Sequence, residues 1–422
     1  MTLTKNHGLG RRALLGTVAL ATLPAQAQPQ AITVAYSEGT YRPLMEETAR
    51  SFESETGIAV RLRSPAANYQ ELLQQSLRDA LTDDLADVAL HGNYLVPVLA
   101  RRGLAVPLDG LIASEPDWAA QGYSPALAEA GRANGKTVGL PWQISVPILF
   151  WNLTLVQRAG ADPDRLPADW DGIVALVRRI SATEPQAGGF FDYLTNGVWT
   201  FQALLTAQGG RLLADDDRSV GFDGETGHRA LAVIRAFADA GMVDLTQPQS
   251  QQAFAAGRLG VLASYSSLLG ALERGATANR FRLGTAPWPI PSPQGRLPAG
   301  GRTIVIQSRY PTRQRAVWRY AKYMTGPQVQ ARLVRQFGAE PANTLAARTG
   351  LLDDYYSARP NARTGLAATD RLTAWSSFPG ENNGKIETLL RDRLREVATG
   401  RATPEEALAH MVRETQALLP GA

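Results

Sequence analysis

The sequence predicts an α/β protein of two lobes crossed several times by the chain, and three observations carry that prediction. A length of 422 residues exceeds what one ordinary core organises, so two lobes of roughly 150 to 200 residues each are expected. From residue 31 onward, short apolar strands alternate with amphipathic helices, the order that builds parallel α/β sheets. The stretch from Leu140 to Ala161 reads as an extended crossover between lobes: Pro141 and Pro147 break helix, while Val146, Ile148, Leu149, Phe150 and Trp151 favour a buried strand. Hydrophobic residues make up 44% and charged residues 19%, a globular composition without long disorder.

Residues 1–27 have the three parts of an export signal: Lys5, Arg11 and Arg12, the apolar run Ala13 to Leu23, then Pro24 and the small-residue site Ala25-Gln26-Ala27. Cleavage near Ala27 and a periplasmic location are the expectation. Arg11-Arg12 followed by Ala13-Leu14-Leu15 fits the twin-arginine route, and Gly10 before the pair with no lysine after it leaves the Sec route open. The apolar run is shorter than the ~20 residues that span a bilayer, which argues against a retained anchor. Loss of the three positive charges lowers the net charge from +4 to +1, so no nucleic-acid partner is expected. The count of zero cysteines excludes disulfides, thiolate metal sites, a cysteine nucleophile and a lipoprotein anchor.

The elements follow in order. Ala31 to Tyr36 is a strand, Ser37-Glu38-Gly39-Thr40 a polar loop, and Arg42 to Thr56 a helix with Leu44, Met45, Thr48, Ala49 and Phe52 on one face. Ile58 to Leu62 is a second strand, Asn68 to Ala80 a helix, Asp87 to Leu90 a strand and Leu95 to Arg102 a helix ended by Gly103. Loops after strand C-termini gather ligands in open α/β sheets, which nominates Ser37, Glu38, Tyr69, His91 and Asn93. Past the crossover, Asp171 to Arg179 is helical, a Gly188-Gly189 loop precedes Trp199 to Ala207, and a further helix ends at Gly241. Apolar runs follow at 261–266, 283–289 and 300–306, then helices from Arg313 to Met324 and from Pro327 onward. Helices at 387–398 and 404–418 close the chain, the last with Thr403 as N-cap and Pro404 in its first turn.

Several of these stretches resemble the extracellular solute-binding proteins of ABC importers, the family of maltose- and glycerol-3-phosphate-binding proteins. They are the proline-containing strand leading to Trp151-Asn152, Ala159-Gly160 with Pro167-Ala168-Asp169-Trp170, the run from Gly209 to Asp223, the Ser-rich loop at Ser264 to Ser266, and the start of the last helix. The resemblance covers nearly all of the chain after residue 27. It implies the bilobal periplasmic-binding-protein fold, two α/β lobes with mixed sheets joined by a multi-segment hinge. The expected lobes are 28–140 plus 261–310 and 141–260 plus 311–422. It also implies a monomer that closes over a small solute and delivers it to a membrane permease and its ATPase.

Other chemistries find little support. Gly131 to Thr137 imitates a phosphate loop but has three residues between its glycines where four are needed, and it reads as a polar turn. The four histidines, at 7, 91, 228 and 410, lack metal-ligand spacing, and no metal or cofactor is expected. Asp215-Asp216-Asp217 lacks the glycine and distal glutamate of a calcium loop. The sequon Asn152-Leu153-Thr154 falls in a buried segment. A secreted glycosidase would need paired carboxylates, for which Glu38 and Glu381 are the candidates, and no Gly-x-Ser-x-Gly elbow occurs.

A sugar presents apolar C–H faces and hydroxyl edges, so its binder needs aromatic planes beside paired donors and acceptors. Trp142 with Ser145, Trp199, Tyr265 and Trp375 are the candidates, with core packing as the competing role of each aromatic; Trp288 reads as core. Gly300-Gly301 lets backbone N–H groups approach an oxygen closely, and in glycerol-phosphate binders of the family a Gly-Gly at the matching place faces the phosphate. The arginine those binders carry before their terminal helices is missing at Phe378-Pro379-Gly380, although Arg302 offers a charge elsewhere. A sugar-like solute is therefore expected, with glycerol 3-phosphate or a glycerophosphodiester as the alternative.

Overall fold

The computed structural model describes residues 1–3, 31–133 and 135–421. Apart from its first three residues, the segment read as an export signal lies outside them.

Nine strands carry the architecture: β1 (Ala31–Tyr36), β2 (Ala59–Leu62), β3 (Val88–Gly92), β4 (Leu140–Ser145), β5 (Pro147–Asn152), β6 (Gly189–Phe191), β7 (Val261–Tyr265), β8 (Leu283–Pro287) and β9 (Gly300–Ile306). They form one sheet of order β2-β1-β3-β9-β4 and another of order β8-β5-β7-β6. In the first, β1 runs parallel to β2 and β3, and β9 is antiparallel to β3 and β4. In the second, β5 is antiparallel to β7 and β8, and β6 is parallel to β7.

Local sequence accounts for the helices that cover these sheets. The helix Arg42–Thr56 has Pro43 in its first turn, ends at Gly57 with φ 73°, and buries Leu44, Met45, Thr48, Ala49 and Phe52, the face its spacing predicts. Each large apolar side chain so buried contributes about 1.5–3 kcal/mol, which holds the helix against the sheet. Pro404–Leu418 opens with a reciprocal cap between Thr403 and Glu406. The imitation phosphate loop contains the hairpin pairing Arg132–Ala133 with Lys136–Thr137.

The lobe boundaries differ from those expected. β7 and β8 pair with β5 in the second sheet, so of the segment 261–310 only β9 returns to the first. Helix Pro311–Met324 buries Val317, Tyr320 and Met324 in the first-lobe core with Ile32, Val34 and Leu90, and Pro327–Phe337 bridges the lobes, with Leu333 in that core and Ala331 and Val334 in the second-lobe core. A strand's apolar run says that it is buried, but its partner is chosen by non-local pairing that the run itself does not encode. The crossover stretch is in fact two strands in two sheets, with only Val146 between them. That residue is pinned: its N–H donates to Ser266 Oγ at 3.0 Å, and its carbonyl accepts from Ser266 N–H at 2.9 Å.

Candidate functional site

A cavity of about 100 Å³ lies between the two sheets. Its first-lobe wall is formed by Glu38, Tyr41, Tyr69 and the start of β9, and its second-lobe wall by residues such as Trp199, Gln247 and Tyr265, with Trp375 also lining it. Of the twelve residues nominated from sequence, Glu38, Tyr69, Ser145, Trp199, Tyr265, Gly300, Gly301 and Trp375 line this space.

The other four stand elsewhere. Trp142 is fully buried in the first-lobe core, its ring edge-on to Tyr41 at 5.6 Å. The pairing of β9 with β4 slips between Arg302 and Thr303, which face Gln143 and Pro141, so Trp142 is the extra residue of a bulge. His91 is fully buried on β3, its Nε2 3.3 Å from Ser76 Oγ, and burial pushes its pKa down to about 3, leaving a neutral ring. Asn93 spends its amide on structure: Nδ2 donates to the carbonyls of Ala299 and Gly300, both at 3.0 Å, and Oδ1 accepts from Thr303 Oγ1 at 2.8 Å. It therefore braces the glycine turn from behind. Ser37 is buried in a bridge to Ala66 and does not line the cavity.

Sequence reasoning missed Tyr41, Thr195, Asn196, Gln247, Ser267 and, above all, Arg302 as lining residues. The signal for Arg302 was its place directly after Gly300-Gly301. Gly301 has φ 114°, and a Cβ there would stand 2.0 Å from the Gln143 carbonyl oxygen. A Cβ on Gly300 would stand 2.9 Å from the Trp199 ring, whose Nε1 donates to the Pro298 carbonyl at 3.1 Å. The two glycines thus let β9 run against β4 and under an indole, and the bulge beside them aims Arg302 at the cavity floor.

Arg302 is 2% exposed. Its guanidinium carbon lies 4.1 Å over the Tyr41 ring and 4.9 Å from that of Tyr69, Nη1 donates to Gln143 Oε1, and Nη2 stands 2.7 Å from Glu38 Oε2. A buried cation survives only when paired and bonded, and these four groups supply that. On the far wall, Asp192 is fully buried and its Oδ2 accepts from Gln247 Nε2 and from Ser264 Oγ, both at 2.9 Å. Burial pushes the Asp192 carboxyl up to about 6 against those hydrogen bonds. With its nitrogen anchored, the Gln247 amide has its oxygen free to accept.

Contacts across the lobes flank the cavity. Trp375 lies 4.3 Å from Tyr94 between ring centres, and Gln70 Nε2 donates to both carboxylate oxygens of Glu387 at 3.3 Å. Glu381 pairs with Arg102 at 2.9 Å in an exposed position and does not line the cavity. Among the described residues, no cluster of histidine and carboxylate side chains could hold a metal ion, and no helix is long and apolar enough to cross a membrane.

Two mixed sheets facing a shared aromatic and polar cavity define a two-lobed binding protein. Residues 47–364 match the family of bacterial extracellular solute-binding proteins, and the chain belongs to that family. It is 24% identical over 425 residues to a binding protein of Brucella abortus strain 2308, covering 97% of this chain and 98% of that one. The structure of UgpB from Mycobacterium tuberculosis in complex with glycerophosphocholine superposes with a TM-score of 0.80 at 19% identity, over 93% of this chain and 98% of that chain. The GacH receptor of Streptomyces glaucescens, solved unliganded and with acarbose, gives 0.78 at 21% identity, over 94% and 100%. The bilobal fold expected from the sequence is the fold of this chain, and its family function is to bind a solute.

Proposed function

We propose that this protein is the periplasmic solute-binding component of an ABC importer, exported with cleavage near Ala27, and that it captures an uncharged, hydroxyl-rich solute as a monomer. The observation that carries the choice of solute is the charge of the cavity: of its lining residues only Glu38 and Arg302 are charged, and they stand 2.7 Å apart. Such a pair presents strong acceptors and donors with no net charge, which suits hydroxyls better than a phosphate that needs its own cation. Trp199, Tyr265 and Trp375 supply aromatic surface for C–H faces.

In this reading the lobes close about the Val146 crossing, the closed form docks on a permease, and the permease's ATPase subunits supply the energy. On the same reading the protein itself turns nothing over, and Glu38, paired with Arg302, serves in binding. A glycerophosphodiester remains the second reading, favoured by the Gly300-Gly301 backbone on the cavity wall.

A thermal-shift screen of monosaccharides, polyols, amino acids and glycerophosphodiesters, followed by calorimetry of the hits, tests the reading. An uncharged monosaccharide or polyol should raise the melting temperature and bind with a single site. A phosphodiester as the sole hit would replace the first reading by the second, and turnover of chromogenic glycosides would refute both.

A further inference from the structure

The ion pair on the cavity floor is anchored from one side only. Arg302 is held by the faces of Tyr41 and Tyr69 and by Gln143, all independent of Glu38. Glu38 has a side chain 37% exposed, and its backbone sits at φ 63°, a conformation rare for a residue with a side chain. Nη2 of Arg302 is paired with Glu38 Oε2 at 2.7 Å, and Nε has no hydrogen-bond partner. A guanidinium edge of this kind matches an oxyanion, and the carboxylate of Glu38 occupies that place.

We propose that Glu38 is the charge filter of the cavity, an internal oxyanion seated on Arg302 that makes the site accept uncharged hydroxylated solutes and refuse phosphorylated or carboxylated ones. The inference rests on the cavity being the solute site. A solute anion entering the wild-type cavity must displace Glu38 from Arg302 or sit beside a like charge, and specificity is set by that repulsion. Without the carboxylate, Arg302 stays in its tyrosine and glutamine cradle as an uncompensated cation beside the Gly300-Gly301 backbone. The same cavity then becomes an anion site.

The experiment is calorimetry of the wild type, Glu38→Gln and Glu38→Ala against inorganic phosphate, sn-glycerol 3-phosphate and the uncharged hit of the screen. The wild type should bind the uncharged hit and neither anion. Both variants should bind the anions at least about tenfold more tightly than the wild type does, more weakly as salt is added, and adding Arg302→Gln should abolish the gain. Folded variants with no gain, or a wild type that binds glycerol 3-phosphate as tightly as they do, would overturn the proposal. Should neither variant fold, the wild type decides: capture of glycerol 3-phosphate overturns the filter, and refusal of it beside capture of the uncharged hit upholds it. An anion gain in the variants with no uncharged hit for the wild type would sink the neutral-solute reading while leaving the filter standing.

Discussion

Replacing Gly301 by alanine should damage the fold and the binding function together, because one backbone position serves both. The new Cβ would meet the Gln143 carbonyl oxygen at 2.0 Å and its carbon at 2.7 Å, both backbone atoms of a paired strand that cannot swing aside. Holding alanine at φ 114° costs about 1–3 kcal/mol, and pushing β4 away adds about 1–3 kcal/mol, so a loss of roughly 2–6 kcal/mol is expected. The displaced strand carries Gln143, the acceptor of Arg302, and solute affinity should fall with stability. Urea unfolding followed by tryptophan fluorescence measures the first effect and calorimetry the second. Gly110→Ala, in the helix Asp109–Ala113 with nothing within 4 Å of its added Cβ, is the control and should be neutral or slightly stabilising. If Gly301→Ala unfolded at the wild-type midpoint and kept full affinity, the argument that this glycine sets the β4–β9 approach would be wrong.

Other perturbations separate core from cavity. Trp142→Ala should lower stability by about 3–5 kcal/mol while the folded fraction still binds, since the ring packs in the first-lobe core; denaturation and binding curves read the two apart. Burial pushes the Glu340 carboxyl up from its ordinary 4.5 to about 8 against the hydrogen bond from Ser266 at 2.6 Å. The folded protein therefore holds that proton where the unfolded chain has released it, and stability should decline as pH rises from about 4.5 to 8, by a few kcal/mol in order of magnitude. Glu340→Gln should flatten that slope in unfolding curves taken across the window, and an unchanged slope would assign the pH dependence elsewhere. Gln70→Ala removes the bonds to Glu387 across the lobes and should weaken solute binding by about tenfold or less, whereas Arg102→Ala, losing an exposed pair to Glu381, should change stability by less than about 1 kcal/mol.

The sequence spoke most clearly where structure is local. The helix face from Leu44 to Phe52, the cap at Thr403 and the strand at Ala31 follow from periodicity and end chemistry within a few residues. The sheet membership of β7 and β8 did not, because pairing partners lie far away along the chain. The candidate cavity was legible in part: the rule for loops after strand ends located Glu38 and Tyr69, and the need for aromatic planes, with the family resemblance, located Trp199, Tyr265 and Trp375. Trp142 misled because its neighbours Gln143 and Ser145 look like a polar site, while a one-residue bulge sends the indole into the core. Tyr41 was hidden in the short turn Gly39–Tyr41 before a helix, and the inward aim of Arg302 depends on that same bulge.

The pinning of Val146 limits how such a molecule can open. Because β4 and β5 are separated by one residue whose N–H and carbonyl are both clamped by Ser266, a swing of one half against the other has to be absorbed within the register of Ser145 on Gly300 and of Pro147 on Tyr265. Those pairs include lining residues of the cavity. The angle of the jaws and the shape of the seat are therefore mechanically one variable, and a guest that reshapes the seat reports its presence to the exterior without any relay.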